Sequence, residues 1–113
     1  MLTISSLKDL GANTAEGLGR CMNNETFYLR MVDMGLKDQG FDRLSSAIEA
    51  GNLKAAFEAA HSLKGTMGNL ALTPIADPVT EITELLRSET QMDYGPLLEK
   101  ILTEKERFCA LLD

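Results

Sequence analysis

The run from Asn52 to Leu70, NLKAAFEAAHSLKGTMGNL, constrains the fold of this chain more than any other stretch. Leu53, Ala56, Ala60, Leu63, Met67 and Leu70 recur at alternating spacings of three and four, which aligns them on one face of an α-helix. That face is an apolar seam and needs other helices to cover it. His61, the only histidine of the chain, lies on the same helix. At about 100° per residue its side chain points roughly 135° away from the middle of the seam, toward water. Phe57, Gly65 and Gly68 fall on the same side as His61, with Lys54, Glu58 and Lys64 around it.

The two glycines are unusual. A glycine inside a helix costs about 1 kcal/mol relative to alanine, and Gly65 and Gly68 interrupt an otherwise good helix sequence. Clearance offers a compensation: without side chains there, a partner's backbone or a phosphoryl group can approach the imidazole. Lys64, one turn along, adds a cation able to reach anionic oxygens at that ring. The plain alternative is an exposed histidine beside helix-packing glycines.

His61-Ser62-Leu63-Lys64-Gly65, followed by Gly68-Asn69-Leu70, resembles the phosphoacceptor motif of histidine-containing phosphotransfer (HPt) domains. Upstream, Gly19-Arg20-Cys21-Met22-Asn23-Asn24-Glu25 with Phe27-Tyr28-Leu29 looks like the start of the first long helix in bacterial members, so the resemblance covers roughly residues 13 to 112. It implies a small helical bundle that passes a phosphoryl group between receiver-domain aspartates. It also implies that His61 is the phosphoacceptor, through Nε2, that Lys64 steadies the phosphoryl oxygens, and that Gly65, helped by Gly68, permits close approach. The implied partners are response-regulator receiver domains and hybrid sensor histidine kinases. The receiver supplies the acidic pocket, the Mg²⁺ and the acceptor aspartate; this chain binds no cofactor or metal of its own. Family members flank the histidine with amides or basic side chains from the following helix, and the matching positions here are Thr83 and Arg87, which read otherwise as plain surface residues. Where the family often has glycine, this chain has Ala71, so the turn after Leu70 is expected to differ slightly.

Length and composition agree with one helical domain over residues 1–113: the chain is 44% hydrophobic, yet only 5% aromatic and without tryptophan, which suits a bundle better than a sheet. A net charge of −6 argues against nucleic acid as the main partner. No apolar run approaches the length of a membrane span and the N-terminus lacks a signal-peptide pattern. Cys21 and Cys109 are isolated, which reads as reduced thiols in the cytoplasm, a disulfide between them being the alternative. A methionine start and an end just after the last helix lead to the expectation of a free-standing carrier.

Taken in order, Ser5 or Ser6 caps a short entry helix that Gly11 stops, and Asn13 opens a second over about 14–21 with Ala15, Leu18 and Cys21 inward. Asn23 or Asn24 caps a helix over 24–37, and Asp38-Gln39-Gly40 breaks it. The next runs over 40–50 and ends at Gly51; Asn52 then caps the central helix, and so short a connection makes the two antiparallel neighbours. Thr73-Pro74 and Asp77-Pro78 each look like a helix start, with 74 favoured and a loosened first turn. Val79, Ile82, Leu85 and Leu86 carry the apolar face to about Ser88. Asp93 begins the last helix. The expected architecture is an all-α, antiparallel four-helix bundle, up-down, with one or two short N-terminal helices. Helices this short, with seams broken at caps, point to a monomer rather than a coiled-coil oligomer.

The function classes narrow accordingly. There is no Gly-rich phosphate loop, and Ser62 points about 100° away from His61 around the helix, so neither a kinase nor a self-contained hydrolase fits. Glu58 and His61 have the Glu-x-x-His spacing of di-metal bundles, but such a site needs a second histidine and further inward carboxylates. Phosphoryl transfer fits better. A neutral imidazole keeps a free ring-nitrogen lone pair and attacks phosphorus without an added base. Lys54, Lys64 and Arg87 would make this face locally basic and Phe57 would add an apolar patch for a partner, unless Phe57 is half-buried core. The alternative is a helical interaction module that binds kinase or receiver domains without transferring phosphate.

Overall fold

The computed structural model describes residues 1–112. Among these residues all regular structure is helical, with no strand. Two short helices, α1 (Ile4–Asp9) and α2 (Thr14–Arg20), precede α3 (Glu25–Leu36), α4 (Gly40–Glu49), α5 (Leu53–Asn69), α6 (Thr73–Arg87) and α7 (Gly95–Cys109). Five helices of 10 to 17 residues therefore follow the short ones, at the places the sequence gives for them, although the expected bundle counts only four. The break that separates α3 from α4 is complete: the Asp38 carboxylate accepts the Gly40 N–H at 2.6 Å and so starts a new helix.

Local chemistry explains most of the boundaries. The side chains of Asn13, Asn24 and Asn52 accept the N–H of Glu16, Phe27 and Ala55 at 3.2, 3.0 and 3.1 Å, each relieving one of the unpaired donors of a helix start. Gly51, at φ 71°, supplies the left-handed residue between α4 and α5. The cap of α1 is Thr3, not Ser5 or Ser6: its Oγ1 accepts the Ser6 N–H, and Ser6 Oγ accepts the Thr3 N–H, both at 2.9 Å. Helix α6 starts at Thr73 and continues through Pro78. Pro78 cannot donate to the Pro74 carbonyl, but this removes a single bond near the helix start, and its ring is buried. Helix α7 starts two residues after Asp93, whose carboxylate accepts the Gly95 N–H at 2.9 Å and shapes the turn before the helix.

Helix α5 packs against α4 on one side and α6 on the other, and α7 packs against α3, α4 and α6. Ala56, Ala60, Leu63, Met67 and Leu70 of the expected seam are buried, as is Ala59, while Leu53 at the helix start is half-buried. The alanines keep the neighbouring helices close, and a fully buried leucine such as Leu63 stabilises the fold by roughly 1.5–3 kcal/mol. Phe41, Ile82, Ile101 and Phe108 complete the centre of the core.

The N-terminal third is tied to the C-terminal end of α5. The Asn13 N–H donates to the Ala71 carbonyl at 2.9 Å, the Tyr28 hydroxyl to the Leu70 carbonyl at 2.8 Å and Arg20 Nη1 to the Gly68 carbonyl at 2.6 Å. Carbonyls at a helix end lack intrahelical partners, and α2 and α3 provide some here. Thr14 and Gly17 turn inward from α2 and Ala15 faces out, reversing the expectation for Ala15. The reason is Tyr28, whose ring lies so close to Gly17 that a Cβ there would sit 2.5 Å from it. Ala71 holds φ 56°, the left-handed conformation that glycine adopts most easily, so the turn keeps the backbone a glycine would take despite the different residue. Cys21 and Cys109 are free thiols, the first buried. Among the described residues no helix is long and apolar enough to cross a membrane.

Candidate functional site

His61 is exposed near the middle of α5, opposite the buried face that carries Leu63 and Met67. Phe57, one turn earlier, is half-buried and lies against the imidazole, with ring centroids 5.6 Å apart and planes 21° from parallel. The Arg87 guanidinium, from the end of α6, sits over the other ring partner in this stack, 5.1 Å from the Phe57 centroid. Phe57 thus belongs neither wholly to the core nor wholly to the surface: it is a platform joining the histidine to a cation.

Gly65 and Gly68 leave open space. A Cβ built on either meets nothing within 4 Å, whereas one on Gly17 or Gly35 would come within 2.5 or 2.6 Å of Tyr28 or Leu70. Packing inside this chain calls for a glycine at 17, against the Tyr28 ring, and crowds the tip of Leu70 at 35; it sets no such demand at 65 and 68. The space that the missing side chains leave on α5 beside His61 is therefore open to a partner.

The charges differ from the sequence reading in one respect. Lys64 Nζ lies 3.5 Å from the carboxylate of Glu84 on α6, and the same carboxylate oxygen accepts from Arg87 Nη2 at 3.3 Å. The hydrogen bond from Arg87 is the main cause that holds the Glu84 carboxyl below its ordinary range, with the charges of Arg87 and Lys64 adding to it. Two of the three expected cations thus share an anion. Lys54 is exposed one turn before Phe57 and lines, with Leu53, Phe57, Arg87 and Glu89, a shallow groove between α5 and α6. Arg20, which the sequence reading gave no role at the site, brings a further cation to the Gly68 carbonyl.

Thr83 departs from its expected place beside the histidine. It is fully buried, and its hydroxyl donates to the Val79 carbonyl at 2.6 Å, so neither an imidazole nor a phosphoryl oxygen can reach it. The inward face of α6 includes Ile75, Val79, Ile82, Thr83 and Leu86, and it is Glu84, the next residue, whose exposed carboxylate reaches Lys64 of α5. The only local hint of Glu84 was its i,i+3 spacing from Arg87. Glu58 is exposed, and among the described residues no three His, Cys, Asp or Glu side chains gather where they could hold a metal ion.

What this arrangement offers is an accessible ring nitrogen on a helix braced on both flanks, a cation one turn away, and two glycines whose missing side chains leave space beside it. Neither a curated protein nor a solved structure matches the chain. Residues 38–112 do match the Hpt domain family. The match begins after α3, so the upstream resemblance over 13–37 lies outside it, and it contains His61, Lys64, Gly65 and Gly68. Since the matched segment takes in well over half of the chain and the whole of the histidine helix with both its neighbours, the protein belongs to the Hpt domain family.

Proposed function

We propose that this protein carries a phosphoryl group on His61 between receiver-domain aspartates of a two-component phosphorelay. Domains of this family are phosphocarrier modules rather than kinases, in keeping with a chain that has no phosphate-binding loop. In the first step Nε2 of His61 attacks the phosphorus of an aspartyl phosphate. A P–N bond forms, the P–O bond to the carboxylate breaks, and the aspartate leaves with the electron pair. A second receiver reverses this: its aspartate attacks, and the ring nitrogen takes back the pair. The receiver brings Mg²⁺ and its acidic pocket, and this chain contributes the histidine, with Lys64 on the phosphoryl oxygens. Phe57, Lys54 and Arg87 belong to the docking surface, and Gly65 and Gly68 lie beneath the docked partner.

The single observation that supports this best is the exposed imidazole beside two glycines that the fold itself does not need. The unit we read as the four-helix, up-down bundle is α4 to α7. Short turns join α4 to α5 and α5 to α6, residues 88–94 lead on to α7, and α7 returns to α4. The preceding helices complete one domain, acting as a monomer in the cytoplasm with hybrid sensor kinases and response regulators as partners.

The test uses receiver domains charged with acetyl phosphate. Acid-labile phosphate is expected to appear on the wild-type protein and not on His61→Gln, whose far-UV circular dichroism stays unchanged. Equal labelling of the variant would refute the assignment of His61. Tight binding of receivers with no labelling of the wild type would leave a helical interaction module instead.

A further inference from the structure

Glu84 has no part in the transfer just described, yet it is placed at its centre. Its carboxylate is exposed, one of its oxygens lies 3.5 Å from Lys64 Nζ, and the same oxygen accepts from Arg87, which in turn covers the ring stacked on His61. Lys64 cannot keep this contact in full and also neutralise a phosphoryl group on His61, because its one ammonium charge would then serve two anions. We propose that Glu84 is a positioning residue that competes with the phosphoryl group for Lys64 and so keeps phospho-His61 labile.

The physical case rests on charge and on the nature of phosphoryl transfer, and it depends on Lys64 facing the phosphoryl oxygens as proposed above. A phosphoryl group on nitrogen carries close to two negative charges, which in a loose transition state are spread over its three equatorial oxygens. A cation held against them in the resting phosphohistidine stabilises that ground state, and whatever part of the contact is not kept in the transition state slows departure of the group. A carrier that must release its cargo gains from a cation only partly available. Glu84 supplies that restraint from α6, and Arg87 fixes it: the Arg87 hydrogen bond holds the carboxylate ionised and in place when Lys64 turns away.

Chemical labelling tests this without any receiver. Potassium phosphoramidate phosphorylates the sole histidine: the ring nitrogen attacks phosphorus and ammonia leaves with the electron pair and a proton. Loss of the label is then followed by ³¹P NMR, as water adds to phosphorus, the P–N bond breaks and the ring nitrogen recovers its pair. Glu84→Gln is expected to lengthen the half-life of phospho-His61 by roughly twofold to fivefold, the range spanned by exposed ion pairs. In a Lys64→Ala background the same substitution is expected to change it by less than about 1.5-fold. Thermal melting should be unchanged by Glu84→Gln, which separates positioning from support of the fold. A half-life that is unchanged or shortened by Glu84→Gln overturns the proposal. Equal lengthening in both backgrounds overturns it too, since Glu84 would then act by direct repulsion and not through Lys64. Failure of receivers to phosphorylate His61 would sink the carrier reading and leave this comparison legible.

Discussion

Replacing Gly65 with alanine is expected to make the protein more stable and a slower phosphate acceptor at the same time. The substitution adds one methyl group where nothing lies within 4 Å, so no atom of this chain must move. What remains is the helix preference of alanine over glycine, about 0.5–1 kcal/mol at an interior position. Gly68 is equally unobstructed, and Gly65→Ala with Gly68→Ala should gain roughly 1–2 kcal/mol together. At roughly 4 °C per kcal/mol for a domain of this size, the double variant should melt about 4–8 °C higher. Gly17→Ala is the internal control. Its methyl would lie 2.5–2.6 Å from Cε1, Cζ and the hydroxyl oxygen of Tyr28, a buried ring that cannot retreat without loosening its bond to the Leu70 carbonyl. Overpacking of this kind costs about 1–3 kcal/mol, enough to exceed the helix gain and reverse the sign. Melting is followed by circular dichroism, and transfer by single-turnover labelling from a charged receiver. A methyl that displaces the docked partner by even 1 Å should slow Gly65→Ala by about ten- to a hundredfold. A Gly65→Ala protein that melts lower would show that the glycine serves the fold. One that is more stable and transfers at the wild-type rate would refute clearance as the reason for the glycine.

Lys64→Ala should slow transfer to His61 by about tenfold, the loss of one charge-assisted contact to the phosphoryl oxygens, with little change in melting. A melting point several degrees lower would place Lys64 in structure instead. Tyr28→Phe leaves the buried Leu70 carbonyl without its 2.8 Å partner and should cost about 1–3 kcal/mol in urea unfolding. Burial, with the neighbouring Cys21 second, pushes the Tyr28 phenol up to about 12 from its ordinary 10.0. The unfolded chain then gives up this proton before the native one does, so stability present below pH 10 falls as the pH rises from about 10 to about 12, by roughly 2–3 kcal/mol at most. Tyr28→Phe should lack that component of the alkaline slope, and identical slopes in the two proteins would contradict it.

Much of this protein follows from its sequence alone. The phase of Leu53, Ala56, Ala60, Leu63, Met67 and Leu70 sets which face of α5 is buried, and the same phase turns His61 outward. The caps at Asn13, Asn24 and Asn52 were readable because a cap is a bond between residues three positions apart. Such features are local, and local chemistry determines them. The surroundings of the histidine were decided elsewhere. Thr83 and Glu84 differ by one position and by about 100° around α6, and nothing in either residue says which one is buried and which reaches Lys64. That depends on how α6 is rotated as it packs, which the whole apolar surface of the core sets at once. The notch that Gly17 opens for Tyr28, and the seat of Arg20 on the Gly68 carbonyl, likewise join residues 11 and 48 positions apart. The sequence by itself thus determined that an imidazole stands in solvent on a rigid helix. Only the tertiary structure decided that a carboxylate from the next helix shares its lysine.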